Sequence, residues 1–182
     1  MMPDRTDVAV PSRLLFDARS PDSRSGNSGS SSLEDGEWRI INDTVMGGQS
    51  TSQFEHHSDH ARFSGTVSLD GGGFASVRSP SGTYDISEAT SFVLLIKGDG
   101  STINFTAYTE AGGRVSYRSA FTAPHGWTRI EIPFANLTPY RRGQRVPAAP
   151  AFDPSAVREM GFLIADRQEG PFHVDIRWVG VE

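Results

Sequence analysis

WRIINDTVMGGQS, the stretch from Trp38 to Ser50, sets a short apolar run beside an Asn-Asp pair and two adjacent glycines. The side chains of Asn42 and Asp43 can bond to nearby backbone and favour a turn, while Gly47 and Gly48 can adopt positive φ values that other residues avoid. The stretch therefore predicts a strand, a tight turn and a second strand. In the simplest interpretation it is a structural corner above a core filled by Trp38, Ile40, Val45 or Met46. The alternative is that its polar residues form part of a ligand site.

A second dense patch, LDGGGFASVRS, begins at Leu69. Three glycines precede a predicted strand on which Arg78 shares one side with Ser76 and Phe74, because side chains alternate along a strand. If the intervening residues face the core, that side offers an aromatic surface and a forked cation that can bind a carboxylate or a sugar hydroxyl. The alternative is an internal ion pair between Arg78 and a carboxylate of another motif.

Short β patterns separated by turn residues fill most of the chain after residue 37. In HARFSGTVSL the apolar residues of one parity predict a strand with one buried face; they are Ala61, Phe63, Val67 and Leu69. The continuous apolar run SFVLLIKG suits a central strand covered on both sides, and TINFTAYT and RVSYRSAF flank the turn EAGGR as a hairpin. About ten such segments predict a single all-β domain, a β-sandwich or jelly roll.

One helical signal appears, in FDPSAVREMG. Asp153 can cap a first turn, Pro154 suits the first helical position and Gly161 can end the helix, which predicts one or two turns. The helix is therefore expected to be a minor element of a β fold.

The composition of the 182-residue chain excludes several classes of function. Without cysteine it has neither disulfides nor thiolate chemistry, and its net charge of -5 gives no general attraction to nucleic acid or anionic lipid. No segment approaches the roughly 18 apolar residues of a membrane span. Residues 1–12 predict a flexible tail, and the Ser- and Gly-rich segment at about 19–36 predicts a disordered loop inside one domain that spans residues 13–182.

Three motifs stand in order along the chain: NDTVMGG within the opening stretch, FSGTVSL leading into GGFASVR, and GFLIADRQEGPF near the end. Together they resemble the CIA30 family, the complex I intermediate-associated protein 30 family, over about residues 13 to 182. The resemblance implies a galactose-binding-like jelly-roll sandwich, similar to carbohydrate-binding modules. It also implies a chaperone-like role in assembling respiratory complex I in mitochondria.

The N-terminus does not resemble a mitochondrial presequence, because acidic residues are interspersed among its arginines. The chain is similar instead to a free-standing bacterial member with a Ser/Gly-rich insertion, for which a cytoplasmic location is expected. The resemblance supplies no catalytic residues. The motif positions are therefore candidates for a binding surface or a structural corner: Trp38, Asn42, Asp43, Met46, Gly47, Gly48, Ser50, Gly72, Gly73, Phe74, Ser76, Arg78 and Asp166.

NDTVMGG and GGFASVR are predicted to lie side by side, with Asn42 and Asp43 fixing a turn against which Arg78 is held. A buried or half-buried arginine needs a carboxylate partner. Asp43 or Asp166 is the nearest such partner within the motifs, so the hypothesis is that one of them pairs with Arg78.

No catalytic or metal-binding pattern emerges from the sequence. It contains no G-x-S-x-G elbow, no H-E-x-x-H and no P-loop, so we expect neither an enzyme nor a cofactor. FEHHSDH gathers four potential metal ligands, but alternation along a strand splits them between two faces. This favours a solvated hairpin tip over a zinc site for His56, His57, Asp59 and His60.

Two functions remain for a chain of this kind. The first is a non-catalytic protein-binding module, an assembly factor, as the resemblance implies. The second is a carbohydrate-binding module, because jelly rolls can stack sugar rings on exposed aromatics, for which the candidates are Trp38, Tyr108, Tyr117, Trp127 and Trp178. A wet row of aromatics beside Arg78 would favour sugar, and a dry, broad apolar patch would favour protein.

Overall fold

Residues 8–20 and 37–182 are described by the computed structural model, and they form an all-β fold. Among these residues, three short 3-10 turns interrupt the strands, at Asp43–Met46, Phe134–Asn136 and Pro154–Ala156. The strands are β1 (Arg13–Asp17), β2 (Arg39–Asn42), β3 (Thr51–His56), β4 (Ala61–Val67), β5 (Ala75–Arg78), β6 (Ser91–Gly98), β7 (Thr102–Thr109), β8 (Ser116–Thr122), β9 (Thr128–Pro133), β10 (Thr138–Arg141), β11 (Gln144–Arg145), β12 (Val157–Ile164) and β13 (Gly170–Val181).

The strands form two antiparallel sheets packed face to face as a jelly-roll sandwich. One sheet has six strands in the order β3-β4-β13-β6-β9, with β1 paired to the end of β13. The other has seven strands in the order β11-β10-β8-β7-β12-β5-β2. Many neighbours are distant in sequence, as where β12 pairs with both β5 and β7, so non-local pairing determines the fold.

The core lies between the sheets and is lined by one side of each sheet. Phe92, Phe105 and Phe162 are completely buried, with ring centroids 4.8 Å apart for the first pair and 5.7 Å for the second. Phe134 and Phe152 pack against Phe92 at 5.0 and 6.0 Å. Because Phe92 belongs to β6 and Phe105 to β7, these aromatic contacts bridge the two sheets.

The expectations for individual strands are confirmed where the pattern is long. Ala61, Phe63 and Val67 of β4 are buried, and β6 is buried on both sides. β7 and β8 form the predicted hairpin. The expected number of about ten strands is too low, because segments as short and polar as β10 and β11 carry no clear alternation.

The predicted helix is wrong beyond its first turn. Asp153 accepts hydrogen bonds from the N–H and the hydroxyl of Ser155, at 2.9 and 2.7 Å, as a cap does. After Pro154–Ala156, however, the chain extends as β12, and Gly161 lies within the strand. Glycine is needed there because a Cβ would collide with the carbonyl oxygen of Val77 in β5. Pairing on both sides of β12 has overridden the local helical signals.

The tail predicted over residues 1–12 and the loop predicted at about 19–36 lie largely outside the described residues. In the described part, Val8 packs against a small cluster around Trp178, and Pro11 is buried. No helix in the described parts of the chain combines the length and the apolar character that crossing a bilayer requires.

Replacing Phe92 with alanine is expected to lower the free energy of unfolding by about 3–5 kcal/mol, because it empties a completely buried aromatic site. Val45→Ala, at a side chain that is 72% exposed, should change it by less than about 0.5 kcal/mol. Urea unfolding followed by tryptophan fluorescence measures both. Equal losses in the two variants would contradict this description of the core.

Candidate functional site

Asp43 lies at the corner after β2, and its carboxylate is completely buried. Oδ1 accepts a hydrogen bond from the N–H of Ser50 at 3.0 Å, and Oδ2 accepts one from the Ser50 hydroxyl at 2.6 Å. Oδ2 also accepts from the N–H groups of Gly73 and Phe74, at 2.7 and 3.3 Å. Burial opposes the charge, but these hydrogen bonds outweigh it and lower the pKa of Asp43.

The glycines of the two motifs surround this carboxylate. Gly48 and Gly72 approach it so closely that a Cβ at either position would overlap Asp43 atoms. Gly47 ends the 3-10 turn with a φ of 85°, where a side chain would be strained. The close packing of backbone around one buried carboxylate therefore explains the glycine content of both motifs.

The two motifs lie side by side. Asn42 of β2 is opposite Ala75 of β5, and the N–H of Asp43 donates to the carbonyl oxygen of Phe74 at 3.2 Å. The Asn42 side chain accepts from the Ser52 hydroxyl at 2.8 Å, which ties the corner to β3. The corner thus joins strands of both sheets.

The predicted pairing of Arg78 with Asp43 or Asp166 is wrong. The carboxylate nearest to Arg78 belongs to Glu159, whose Oε2 lies 3.7 Å from Nη1 of the arginine. Asp43 is already satisfied by hydroxyl and backbone donors, and Asp166 accepts from the amide of Asn104 at 3.2 Å. Arg78 therefore belongs to a different part of the molecule from the corner.

Trp38 and Met46 have separate roles. Trp38 packs at the core, stacked on Phe54 at 4.8 Å and edge-on to Phe16 at 5.1 Å. Met46 and its neighbour Val45 are each 72% exposed, so the expectation that they fill the core is wrong. The 3-10 turn directs them to the surface.

Ser76 and Arg78 lie on the outer face of the seven-stranded sheet, which we call the polar face. Ala75 and Val77, between and beside them, point into the core. Strand register then extends this face as one row across five strands, β5, β12, β7, β8 and β10. In that order the row consists of Arg78, Gly161, Thr106, Arg118 and Thr138.

A second row, two residues along each strand, supplies aromatic side chains. Tyr108 of β7 is opposite Glu159, and Tyr140 of β10 is opposite Ser116. Each arginine of the first row stacks on a tyrosine of the second: Cζ lies 4.0 Å from the Tyr108 ring centroid for Arg78 and 4.9 Å from that of Tyr140 for Arg118. These cation–π contacts hold the guanidinium planes in place.

Arg78 uses only part of its hydrogen-bonding capacity. Its buried Nε has no hydrogen-bond partner among the described residues. Glu159, its carboxylate neighbour, already accepts a 2.5 Å hydrogen bond from Arg39 and another from the Ser81 hydroxyl. The Arg78–Glu159 contact at 3.7 Å is accordingly a weak ion pair.

Arg118 is less well paired still. Its Nε donates to the Ser116 hydroxyl at 2.8 Å, and it has no ion pair within 4.0 Å among the described residues. Burial is the main cause that lowers the pKa of Arg118; Tyr108, Tyr140 and Asp166 act in the opposite direction, and repulsion from Arg78 lowers it slightly further. The guanidinium remains charged, with donors available to a ligand.

Short side chains form the floor between the two arginines. Gly161 has none, and Thr106 is almost completely buried. The Ser76 hydroxyl is turned to the backbone, donating to the carbonyl oxygen of Ile41 at 2.5 Å. The partly buried side chains of the two Arg–Tyr pairs are therefore the accessible groups of the polar face.

Sequence reasoning found part of this face. Ser76, Arg78 and Tyr108 are among the sequence-based candidates. Arg118, Tyr140 and Glu159 are not: no motif marks Arg118, β10 carries no clear pattern, and the segment around Glu159 is predicted as helix. The other aromatic candidates lie elsewhere: Tyr117 and Trp178 are buried, Trp38 packs at the core, and Trp127 contacts charged side chains of the other sheet.

The outer face of the six-stranded sheet is organised differently. Asp175 is completely buried there and accepts two hydrogen bonds from Arg62, at 2.7 and 2.9 Å, with Lys97 at 3.8 Å. Burial would raise the pKa of Asp175, but Arg62, His60 and Lys97 together outweigh it and the pKa is lowered. Trp127 lies under two cations, 5.0 Å from Lys97 and 4.2 Å from Arg177.

The histidine cluster forms the tip of the β3–β4 hairpin, as expected. The N–H of His57 donates to the carbonyl oxygen of His60 at 2.8 Å, and their rings stack at 4.6 Å. Nδ1 of His60 lies 2.8 Å from Asp59, which also accepts from Arg177 at 2.8 Å. Asp59 and His60 thus form internal contacts.

Solved structures with a similar fold include carbohydrate-binding modules and agarases. The family 11 module of the cellulosomal cellulase Lic26A-Cel5E of Clostridium thermocellum has a TM-score of 0.65 at 17% identity, covering 95% of this chain and 96% of that one. The family 11 module from Clostridium thermocellum in complex with a β-1,3-1,4-mixed-linked tetrasaccharide gives 0.64 at 17%, over 95% and 97%. The family 30 module of Cel9D-Cel44B from Clostridium thermocellum gives 0.50 at 18%, over 74% and 90%. The chain is thus a jelly-roll β-sandwich domain of the architecture found in carbohydrate-binding modules.

The sequence assigns the family. The model for Complex I intermediate-associated protein 30 (CIA30) matches residues 27–176, which is most of the chain. The chain therefore belongs to the CIA30 family, and the resemblance carried by its motifs is confirmed.

Asp43→Asn is expected to lower the free energy of unfolding at neutral pH by about 3 kcal/mol. The reason is that the NH2 group of asparagine, a donor, would face the backbone N–H donors that now bind the carboxylate. A lowered carboxyl pKa stabilises the fold fully above the unfolded value of 3.8, and this stabilisation is lost as pH falls through the folded pKa. The difference between wild type and variant should therefore narrow in acid. Denaturant unfolding at about pH 7, about pH 5 and about pH 3 measures it.

Asp70→Asn is the matched control for this experiment. Asp70 is exposed and accepts from Gln49 at 3.1 Å, so the same chemical change there should cost less than about 0.5 kcal/mol. A difference between wild type and Asp43→Asn that stays constant down to the lowest pH would contradict a role for the charged carboxylate.

Proposed function

We propose that this chain is a non-catalytic binding module whose polar face binds an extended saccharide. The observation that carries the proposal is the row of Arg78 and Arg118, each stacked on a tyrosine, across neighbouring strands of one sheet. Tyr108 and Tyr140 are partly buried on this face, each beside an arginine, and the surface around them is polar. It is not a dry apolar patch.

The chemistry of the polar face suits sugar rings. Guanidinium groups donate to hydroxyl oxygens in fixed directions, and tyrosine offers both a ring surface and a hydroxyl. Carboxylates at the margin, Glu159 and Asp166, can accept from sugar hydroxyls. Across β5, β12, β7, β8 and β10 the polar face extends over four strand spacings of about 4.8 Å, or roughly 19 Å, which accommodates a short run of sugar rings.

The fold comparison supports the proposal at the level of architecture. One of the similar structures is described as a module in complex with a mixed-linked tetrasaccharide, so a sandwich of this shape accommodates an oligosaccharide. Pre-formed cation–π pairs reduce the ordering needed on binding, which suits a rigid sheet surface.

Assembly of respiratory complex I is the second candidate function, and family membership favours it. The surface for a protein partner would be the exposed apolar tip of the corner, Val45 and Met46. Exposed apolar side chains of this kind are common anchors of protein interfaces. A chaperone-like factor of a bacterial cytoplasm would use this tip.

Tyr108→Ala and Tyr140→Ala are each expected to weaken saccharide binding roughly 5- to 10-fold, because each removes a ring surface and the support of one arginine. Calorimetric titration with the saccharide that binds best in a panel of neutral and acidic polysaccharides measures the loss. Trp127→Ala, which removes an aromatic from the other sheet, is the control and should leave affinity unchanged. Failure of every saccharide to bind, or an equal loss in Trp127→Ala, would refute the assignment to the polar face.

The assembly function predicts a different sensitivity. If complex I subunits copurify with the tagged protein from its native host, the double variant Val45→Ser/Met46→Ser should abolish copurification, because it removes the apolar tip. Tyr108→Ala serves as the control and should retain the subunits. Copurification that depends on Tyr108 rather than on the tip would instead make the polar face a protein-binding surface.

A further inference from the structure

The polar face has an excess of positive charge, although the chain as a whole carries a net charge of -5. Strand register places four arginines on this face, against the two carboxylates of Glu159 and Asp166 among the described residues. The arginines are Arg39, Arg78, Arg118 and Arg145. Arg39 lies opposite Arg78, Arg118 opposite Thr106, and Arg145 opposite Tyr140. Like charges directly across a strand pair repel each other, and Glu159, which contacts both Arg39 and Arg78, offsets that repulsion for this pair.

The two carboxylates do not neutralise Arg118. Glu159 binds Arg39 at 2.5 Å and lies 3.7 Å from Arg78. Asp166 is exposed and accepts from Asn104. Arg118 donates to the Ser116 hydroxyl but has no ion pair within 4.0 Å among the described residues.

Three arginines of the six-stranded sheet are each paired with a carboxylate at hydrogen-bond distance. Arg62 binds Asp175 at 2.7 Å, Arg177 binds Asp59 at 2.8 Å, and Arg129 binds Glu182 at 2.5 Å. A half-buried guanidinium without such a partner loses hydration without gaining an ion pair. The polar face is therefore a place where an anion supplied from outside would be bound more strongly than a neutral group.

We infer that the saccharide bound by the polar face is acidic, and that Arg118 binds one of its anionic groups, a carboxylate or a sulfate. This inference rests on the function proposed above and specifies its ligand. A planar guanidinium held over Tyr140 can donate two parallel hydrogen bonds to a carboxylate or sulfate, a geometry that a lone hydroxyl does not match. Arg118 itself is only partly buried, so its guanidinium is accessible to such a group.

Chemically matched ligands test the inference. Oligogalacturonate is compared with its methyl ester, and dextran sulfate with dextran, by calorimetric titration of the full chain at about 0.15 M salt, where general charge attraction is screened. At least one acidic ligand should bind about tenfold or more tightly than its neutral counterpart. A preference within the galacturonate pair indicates that the bound group is a carboxylate, and a preference within the dextran pair indicates a sulfate.

Arg118→Gln should lower the affinity for the acidic ligand about tenfold more than the affinity for the neutral counterpart, because a neutral hydroxyl loses only a hydrogen bond and not an ion pair. Arg114→Gln, at an exposed arginine of the turn between β7 and β8, removes the same charge and should leave both affinities unchanged. If Arg118→Gln is unstable, Arg118→Lys gives the same test, because lysine keeps the charge but lacks the planar fork.

The possible failures are distinct. Equal binding of acid and ester, and of dextran sulfate and dextran, would overturn the inference while leaving saccharide binding intact. Equal losses in Arg118→Gln and Arg114→Gln would overturn the role of Arg118. Binding of single-stranded oligo(dT) as tight as that of the acidic saccharide would show a general polyanion site and also overturn it. Absence of binding to any saccharide would remove the proposed function itself.

Discussion

The buried carboxylate of Asp43 is the constraint on which the arrangement of both sheets depends. It receives hydrogen bonds from Ser50, just before β3, and from Gly73 and Phe74, just before β5, so it joins an edge of one sheet to an edge of the other. A buried charge without a counter-ion is tolerable only when its oxygens are fully hydrogen-bonded. Because β5 starts at this fixed point, its register against β12, and with it the position of Arg78 on the polar face, is also set.

Strand alternation gives the core and the polar face a common origin. On β7, Phe105 points into the core while Thr106 and Tyr108 point outward, and β12 does the same with Phe162 and Glu159. The side chains that fix the spacing of the sheets are therefore neighbours in sequence of those that form the polar face. Packing between the sheets keeps the strands rigid, and rigid strands hold the arginine and tyrosine side chains in register.

Local patterns predicted what depends on local physics. Apolar alternation located β4 and the β7–β8 hairpin, and the paired glycines correctly indicated a corner. The partner of Arg78 was not predictable, because Glu159 reaches it only through pairing of strands about 80 residues apart, and no local signal encodes that register. The helix predicted around Asp153 is wrong for the same reason. Its cap forms, but the residues after Ala156 pair with strands on both sides as β12.

The two outer faces differ in how their charged side chains are paired. On the six-stranded sheet, the buried carboxylate of Asp175 forms ion pairs with Arg62 and Lys97, so its charge is balanced within the protein. On the seven-stranded sheet, Arg118 is stacked on Tyr140 and has no carboxylate partner within residues 8–20 and 37–182, an arrangement that costs stability in the absence of a ligand. Stacking also immobilises the guanidinium before any ligand arrives, so less conformational entropy remains to be lost on binding. A rigid sheet therefore holds the guanidinium donors of the polar face in fixed positions, and their charge is only partly balanced by carboxylates. This arrangement suits a non-catalytic binding role.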